Sequence, residues 1–263
     1  MEQREGAFIR TQYATDTNLR ARIALHERYS TNPLGWYNWI WQQLAIEPGM
    51  QVLEVGCGDG ATWRGRMDSL PPRCTLLLTD LSYGMVSSAR AALGSPCVSY
   101  AVSDAQFLPY SDERFDLVIA NHMLYHVPDR GRALREFSRV LRSGGRLCAS
   151  TVGEGHVREM HRWLAAVCPA AALSDALWLP PFTLQSGGEE LAAFFPRVTR
   201  ADYVDDLVID SVEPVLAYLR SFWSALLGER ELRALSSIQN AEPQATGRIF
   251  VHKESGLFMA AKG

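Results

Sequence analysis

The nine residues 52–60, VLEVGCGDG, constrain this chain more than any other stretch. Val52, Leu53 and Val55 make the short apolar run of a buried strand. Glu54 sets a carboxylate inside that run. Gly56, Gly58 and Gly60 then allow a tight turn whose backbone can lie against a ligand, because none carries a Cβ. A strand running into a glycine turn is how doubly wound α/β proteins hold a nucleotide-like cofactor at the carboxyl end of a strand.

The same punctuation recurs downstream. Apolar runs at 74–79, 98–102, 115–120 and 146–151 read as strands, with Asp80, Asp104 and Asn121 at or just past three of their ends. Helical patterns at 61–70, 81–93 and 130–141 separate them, the last closed by Ser143-Gly144-Gly145. Strands alternating with helices imply a parallel sheet with right-handed crossovers. Ahead of it, 1–17 is polar without a clear period, and 19–44 reads as two helices broken at 30–35, STNPLG. After Gly153 the pattern changes. An amphipathic helix at 157–167, a small apolar stretch at 170–181 and a short helix at 189–195 precede strand-like pieces at 198–204 and 207–209. A helix at 214–227, a polar loop at 239–244 and one final strand over 248–261, bent near 253–256, complete the chain. The expectation is one domain: an N-terminal helical cap (1–48), a cofactor-binding core (49–153), a helical lid (154–197) and C-terminal strands with a helix (198–263).

Composition excludes several classes. The 263 residues carry a net charge of -3 and no long basic run, which argues against a nucleic-acid partner. The 5 cysteines are odd in number and form no CxxC, so neither a disulfide framework nor a zinc site is expected, and reduced thiols in a cytoplasm are the simpler reading. The opening MEQREGAFIR lacks the apolar core of a signal peptide, and no window approaches the ~18 consecutive apolar residues of a membrane span. Nothing in the sequence sets an oligomeric state.

The glycine turn alone leaves the cofactor open. Gly56-x-Gly58-x-x-Ala61, with Asp80 ~20 residues on, also satisfies the alanine form of the dinucleotide pattern. Asp80 can accept from a ribose diol in either a nicotinamide cofactor or S-adenosylmethionine. Glu54 tips the balance, since a carboxylate there is awkward beside a pyrophosphate but suits an ammonium and a sulfonium. Asp104 adds to this, placed to accept from an adenine amino group while the Ala105 amide donates to the ring.

Four segments in register then resemble the class I S-adenosylmethionine-dependent methyltransferases, in particular the small-molecule branch that includes the ubiquinone and menaquinone C-methyltransferases. They are VLEVGCGDG at 52–60, LLLTDLSYGMVSSAR at 76–90, SDAQFLPYSDERFDLVIANHMLYHV at 103–127 and RALREFSRVLRSGGRL at 132–147. The resemblance implies a Rossmann-like doubly wound seven-stranded sheet whose last strand is antiparallel. It also implies that Glu54, Gly56, Gly58 and Gly60 line the methionine side, that Asp80 takes the ribose with Leu81 and Met85 against the adenosine, that Asp104 and Ala105 hold the adenine, and that Asn121 and His122 lie beside the cofactor. Capping of the following turn is the alternative for Asp104, and core packing the alternative for Met85. Some members of the fold use the sulfonium for ring closure instead of methylation.

Methyl transfer is an in-line displacement, so placing the nucleophile and excluding water matter more than a catalytic side chain. A hydroxyl or acidic carbon benefits from a base, and His122 and His126, four apart, are the candidates. HMLYH lacks the glutamate of HExxH, so a metal pair is not expected. His156 and His161 could also face the acceptor, and His252 reads as structural. Tyr13, Tyr29, Trp36 and Tyr37 on one side, and Trp163, Trp178, Phe182 and Phe194 on the other, predict an aromatic, water-poor chamber for a small, largely apolar acceptor.

Overall fold

The computed structural model describes residues 17–169, 181–223, 227–241 and 247–263. Among the described residues the first elements are α1 (Thr17–Tyr29) and α2 (Trp36–Leu44), then β1 (Gln51–Val55), β2 (Thr75–Asp80), α3 (Tyr83–Leu93) and β3 (Val98–Val102). Next come β4 (Phe115–Asn121), α4 (Arg130–Val140), β5 (Leu141–Val152), α5 (Arg158–Val167) and the short α6 (Gly187–Ala192). It closes with β6 (Arg197–Tyr203), β7 (Asp206–Ile209), α7 (Glu213–Trp223), α8 (Glu229–Ala241), β8 (Ile249–His252) and β9 (Ser255–Ala261).

β1 is central because Val52 through Val55 are all buried, and a strand covered on both faces also needs both edges paired. It lies parallel between β2 and β4. The sheet order is β3-β2-β1-β4-β5-β9-β6, with β9 antiparallel to both neighbours. This is the Rossmann-like seven-stranded sheet that the sequence implied. One face is closed by α2, whose Ile40 and Leu44 pack with Leu76, Leu78, Leu117 and Ile119. The other is closed by α4, whose Leu134, Phe137 and Val140 pack with Leu53, Val118 and Leu147. Each fully buried side chain of this size contributes about 1.5–3 kcal/mol. A third cluster lies away from the sheet, where Leu25, Met160, Leu164, Leu207, Val215, Leu219 and Val251 join α1, α5 and α7 to a two-stranded sheet of β7 and β8.

Local signals act where the sequence carries them. Ser82 caps α3 by accepting from the Met85 N–H at 3.4 Å, and Gly94 ends it in a left-handed turn. Asp129 caps α4 by accepting from the Arg132 N–H at 2.8 Å. Ser143-Gly144-Gly145 does not stop a helix. It lies within β5, across a shift of register against β4, because α4 has already ended at Val140.

The first crossover departs from expectation. In place of a helix over 61–70 stand two short 3-10 turns, Ala61–Trp63 and Met67–Ser69. Gly65 between them has φ +69°, which no α-helix accommodates, and Trp63 is drawn fully inside. α8 was not foreseen at all, although Leu232 and Leu235 pack it into the third cluster.

β6 and β7 are one strand bent at 204–205, and β8 and β9 another bent at 253–254. Both pairs stay antiparallel through the bend, so one ribbon serves two sheets. Asp205 fastens the bend. It is almost fully buried, bonds Lys253 Nζ through one oxygen, and through the other accepts from Ser30 Oγ at 2.7 Å and the Asn32 N–H at 3.0 Å.

Candidate functional site

A doubly wound sheet opens a crevice where its strand order reverses, here between the carboxyl ends of β1 and β4. That crevice leads into a cavity of about 1600 Å³ reaching under α1 and α7. Its first half is built from strand tips. Gly56 turns at φ +70°, and a Cβ there would come within 2.7 Å of Met123 Cβ, so only glycine fits. Asp80, at the tip of β2, accepts from the Gly58 N–H at 3.0 Å and the Ser82 N–H at 2.8 Å. Its carboxyl is still raised above the usual range, because burial outweighs those bonds.

Glu54 sits behind the turn, 1% exposed, accepting from Trp63 Nε1 and from Thr62 Oγ1 at 3.0 Å. Burial pushes it up to about 7 despite those bonds, with the Asp80 and Asp59 charges adding to the rise. A polar relay links it to β4 and β5. Asn121 Nδ2 donates to Thr62 Oγ1 at 3.3 Å, Ser150 Oγ donates to Asn121 Oδ1 at 2.5 Å, and the His122 N–H donates to Ser150 Oγ at 2.9 Å. The relay holds His122 at φ +52° with its ring 4.8 Å from that of Trp36. Asp104 accepts from the Gln106 N–H at 2.9 Å, so it does cap its turn while also lining the cavity.

The second half of the cavity is lined by histidines. His26, His122, His126, His156 and His161 all face it, with Arg22, Lys253, Tyr203, Tyr218 and Phe222. Burial first, then neighbouring positive charge, drives the imidazoles below their ordinary value. His122 and His126 fall to about 4, the former helped by Lys253 and the latter by Arg22. Burial also takes His161 to about 4, and His26 and His156 are lowered well below the ordinary value. All five are neutral at pH 7. Arg22 lies over the Phe222 ring at 3.6 Å and donates through Nε to Ser221 Oγ at 3.0 Å.

A methyltransferase-domain family model matches residues 53–149, the stretch that builds the strand-tip half of the cavity. The whole fold resembles a methyltransferase structure from Bacillus halodurans, with TM-score 0.60 at 18% identity over 86% of this chain and 98% of that one. Residues 53–149 therefore match a methyltransferase domain, set in a fold shared with that structure.

Among curated relatives, the methyltransferase GfsG of Streptomyces halstedii is 35% identical over 43% of this chain and 41% of its own length. That match thus spans less than half of the relative. The O-methyltransferase resE of Aspergillus sclerotiorum is 28% identical over 84% of this chain and 79% of its own.

Most of the expected cofactor positions lie on the cavity wall: Glu54, Gly56, Gly58, Asp80, Leu81, Met85, Asp104, Ala105, Asn121 and His122. Gly60 does not. It turns toward α3, where a Cβ would meet Leu93 and Ala89 at 3.1 and 3.3 Å. Of the aromatic residues expected around an acceptor, Trp36 and Tyr37 line the cavity. Tyr29 instead donates to Asp210 at 3.0 Å and packs with Trp163 in the third cluster. Phe182 is fully buried against Phe258 beside α6, and Phe194 packs on that same core, so the core accounts for these aromatics. Tyr13 and Trp178 lie outside the described residues. His26, Arg22 and Lys253 were missed. Arg22 and His26, four apart on α1, share a helix face, which was the available signal. No sequence rule brings Lys253 there, since its approach depends on the bent ribbon.

Proposed function

We propose that this chain transfers a methyl group from S-adenosylmethionine to a small, largely apolar or aromatic metabolite, by positional catalysis. The observation that carries this reading is Asp80, a carboxylate aimed at the crevice by two backbone amides, with Glu54 behind the glycine turn and one cavity continuing from both. Asp80 would accept from the ribose hydroxyls, and Asp104 with the Ala105 amide would hold the adenine. Glu54, with Gly56 and Gly58, would face the methionine end, and a buried carboxylate there disfavours the pyrophosphate of a nicotinamide cofactor.

When bound, S-adenosylmethionine supplies a methyl group already activated by its sulfonium. The chain then needs to hold the acceptor in line and keep water out, which is worth several kcal/mol of barrier. We assign that work to residues 17–44 and the segments after Gly153, over the cofactor core of 49–153. His122 and His126 are neutral and able to take a proton from a hydroxyl, but a base with its value near 4 adds little driving force at pH 7. Position therefore outweighs base catalysis. A net charge of -3 and a walled cavity favour a small molecule over a nucleic acid.

The test is calorimetry with S-adenosylhomocysteine. Wild type is expected to bind, and Asp80→Ala to weaken binding by roughly 10- to 100-fold, the loss of one charge-assisted hydrogen-bond pair. Absence of binding by wild type, or unchanged affinity in Asp80→Ala, overturns the reading.

A further inference from the structure

One histidine of the cavity's second half has a hydrogen-bonding role that the fold itself decides. The Glu254 backbone N–H donates to His156 Nδ1 at 3.2 Å. An amide nitrogen can only donate, so Nδ1 must present its lone pair. The proton of the neutral ring then resides on Nε2. A second proton, at Nδ1, would set one N–H against another. His156 is therefore a donor at Nε2 with no lone pair there, and cannot serve as a base through that atom.

The backbone around the ring keeps it so. The Gly153 N–H donates to Glu254 O at 2.9 Å, the Val157 N–H donates to His252 O at 2.9 Å, and a Cβ on Gly153 would fall 2.2 Å from Glu254 Cδ. The turn bearing His156 is thus clamped to the bend that supplies the amide. His26 stands beside it, ring centroids 5.8 Å apart. Its Nδ1 is buried without a partner, which leaves Nε2 as the nitrogen able to bond a ligand. Both rings line the cavity, and among the described residues no group of three or more His, Cys, Asp or Glu could hold a metal ion.

We propose that His156, with His26 beside it, is a specificity-determining donor that selects acceptor molecules placing an oxygen free to accept a hydrogen bond, such as a carbonyl or carboxylate, against its Nε2–H. An oxygen that only accepts satisfies Nε2–H. An ammonium would face it donor to donor, and a hydrocarbon edge would leave it unpaired, so the site rejects both. The substrate role rests on the methyl-transfer reading, whereas the donor assignment stands without it.

Two measurements test this on the full chain. Nitrogen-15 spectroscopy of the ligand-free protein is expected to show His156 as the neutral Nε2–H tautomer throughout pH 6 to 8. An Nδ1–H tautomer, or a cation at pH 6, overturns the proposal. The second measurement titrates a matched pair, 2′-hydroxyacetophenone and 2-ethylphenol, into protein saturated with S-adenosylhomocysteine. The acyl compound is expected to bind roughly tenfold more tightly, a preference that His156→Leu removes and His156→Gln, which restores a donor near the Nε2 position, keeps. Equal affinities, binding of neither probe, or a preference that survives in His156→Leu refutes it. If wild type fails to bind S-adenosylhomocysteine, the methyl-transfer reading falls while the tautomer is still read directly.

Discussion

Glu54 is the side chain whose charge responds most directly to what enters the cavity. With its value near 7, it is mostly protonated at pH 6 and mostly ionised at pH 7.5. A cationic ligand favours the ionised form, so apparent affinity scales with the ionised fraction. S-adenosylmethionine should therefore bind roughly eightfold more tightly at pH 7.5 than at pH 6, releasing a proton as it binds. Calorimetry in two buffers of different ionisation enthalpy would detect that proton, and Glu54→Gln should abolish it. A pH-independent affinity with no proton release would mean that Glu54 does not face the cation. The carboxylate itself was legible from its place in VLEVGCGDG. Its bonds to Trp63 and Thr62 were not, because they depend on a crossover that folds as 3-10 turns.

Between elements, the junction at Asp205 has the sharpest energetic consequence. Its carboxylate faces the Lys253 ammonium with both side chains nearly sealed from solvent, and it also holds the segment 30–32 that follows α1. Breaking a buried pair by removing one partner strands the other charge, at about 3–5 kcal/mol. Asp205→Ala should cost about that much in denaturant unfolding, whereas Asp210→Ala, which loses one bond from Tyr29, should cost about 1 kcal/mol. Equal losses would show that Lys253 finds water or another partner. At this scale the sequence was read well for β1 to β5, where each buried run ends at a turn. It was read poorly where one long-range contact overrides local pattern, as with Trp63 drawn under α2 and Gly65 breaking the helix expected around it. α8 was lost for a different reason: Leu232 and Leu235 are sparse among polar neighbours, and their partners lie on α5 and α7.

Over the whole molecule, the histidines set the response to acid. Five of the six line one cavity, all depressed below 6.5 by burial. Between roughly pH 4 and 6.5 the unfolded chain binds more protons at these groups than the folded one, so stability falls as pH falls through that window. Glu54, raised from 4.5 to about 7, and Asp80, also raised by burial, act in the opposite sense, but by at most one proton each. The histidines win, and acidification from pH 7 to 5 should cost on the order of 2–4 kcal/mol, allowing for rings that face the open cavity. Thermal melts at the two pH values would register the loss, and an unchanged midpoint would mean that the rings protonate in place. The strand-tip wall of the cavity was largely legible because its residues sit at fixed offsets from strand ends. The acceptor half was not, since five histidines scattered from 26 to 161 converge only after helices and ribbon are stacked. That gathering also sets hydrogen-bonding groups beside the aromatic rings of the expected chamber.

The position of β9 has a consequence for biosynthesis. It is threaded between β5 and β6, although it is translated after both. Until residues 255–261 leave the ribosome, β6 has no neighbour to join and β5 presents a bare edge to any passing chain. The nascent polypeptide must therefore wait, with this side of the sheet half assembled, for β9 to arrive and join β5 to β6.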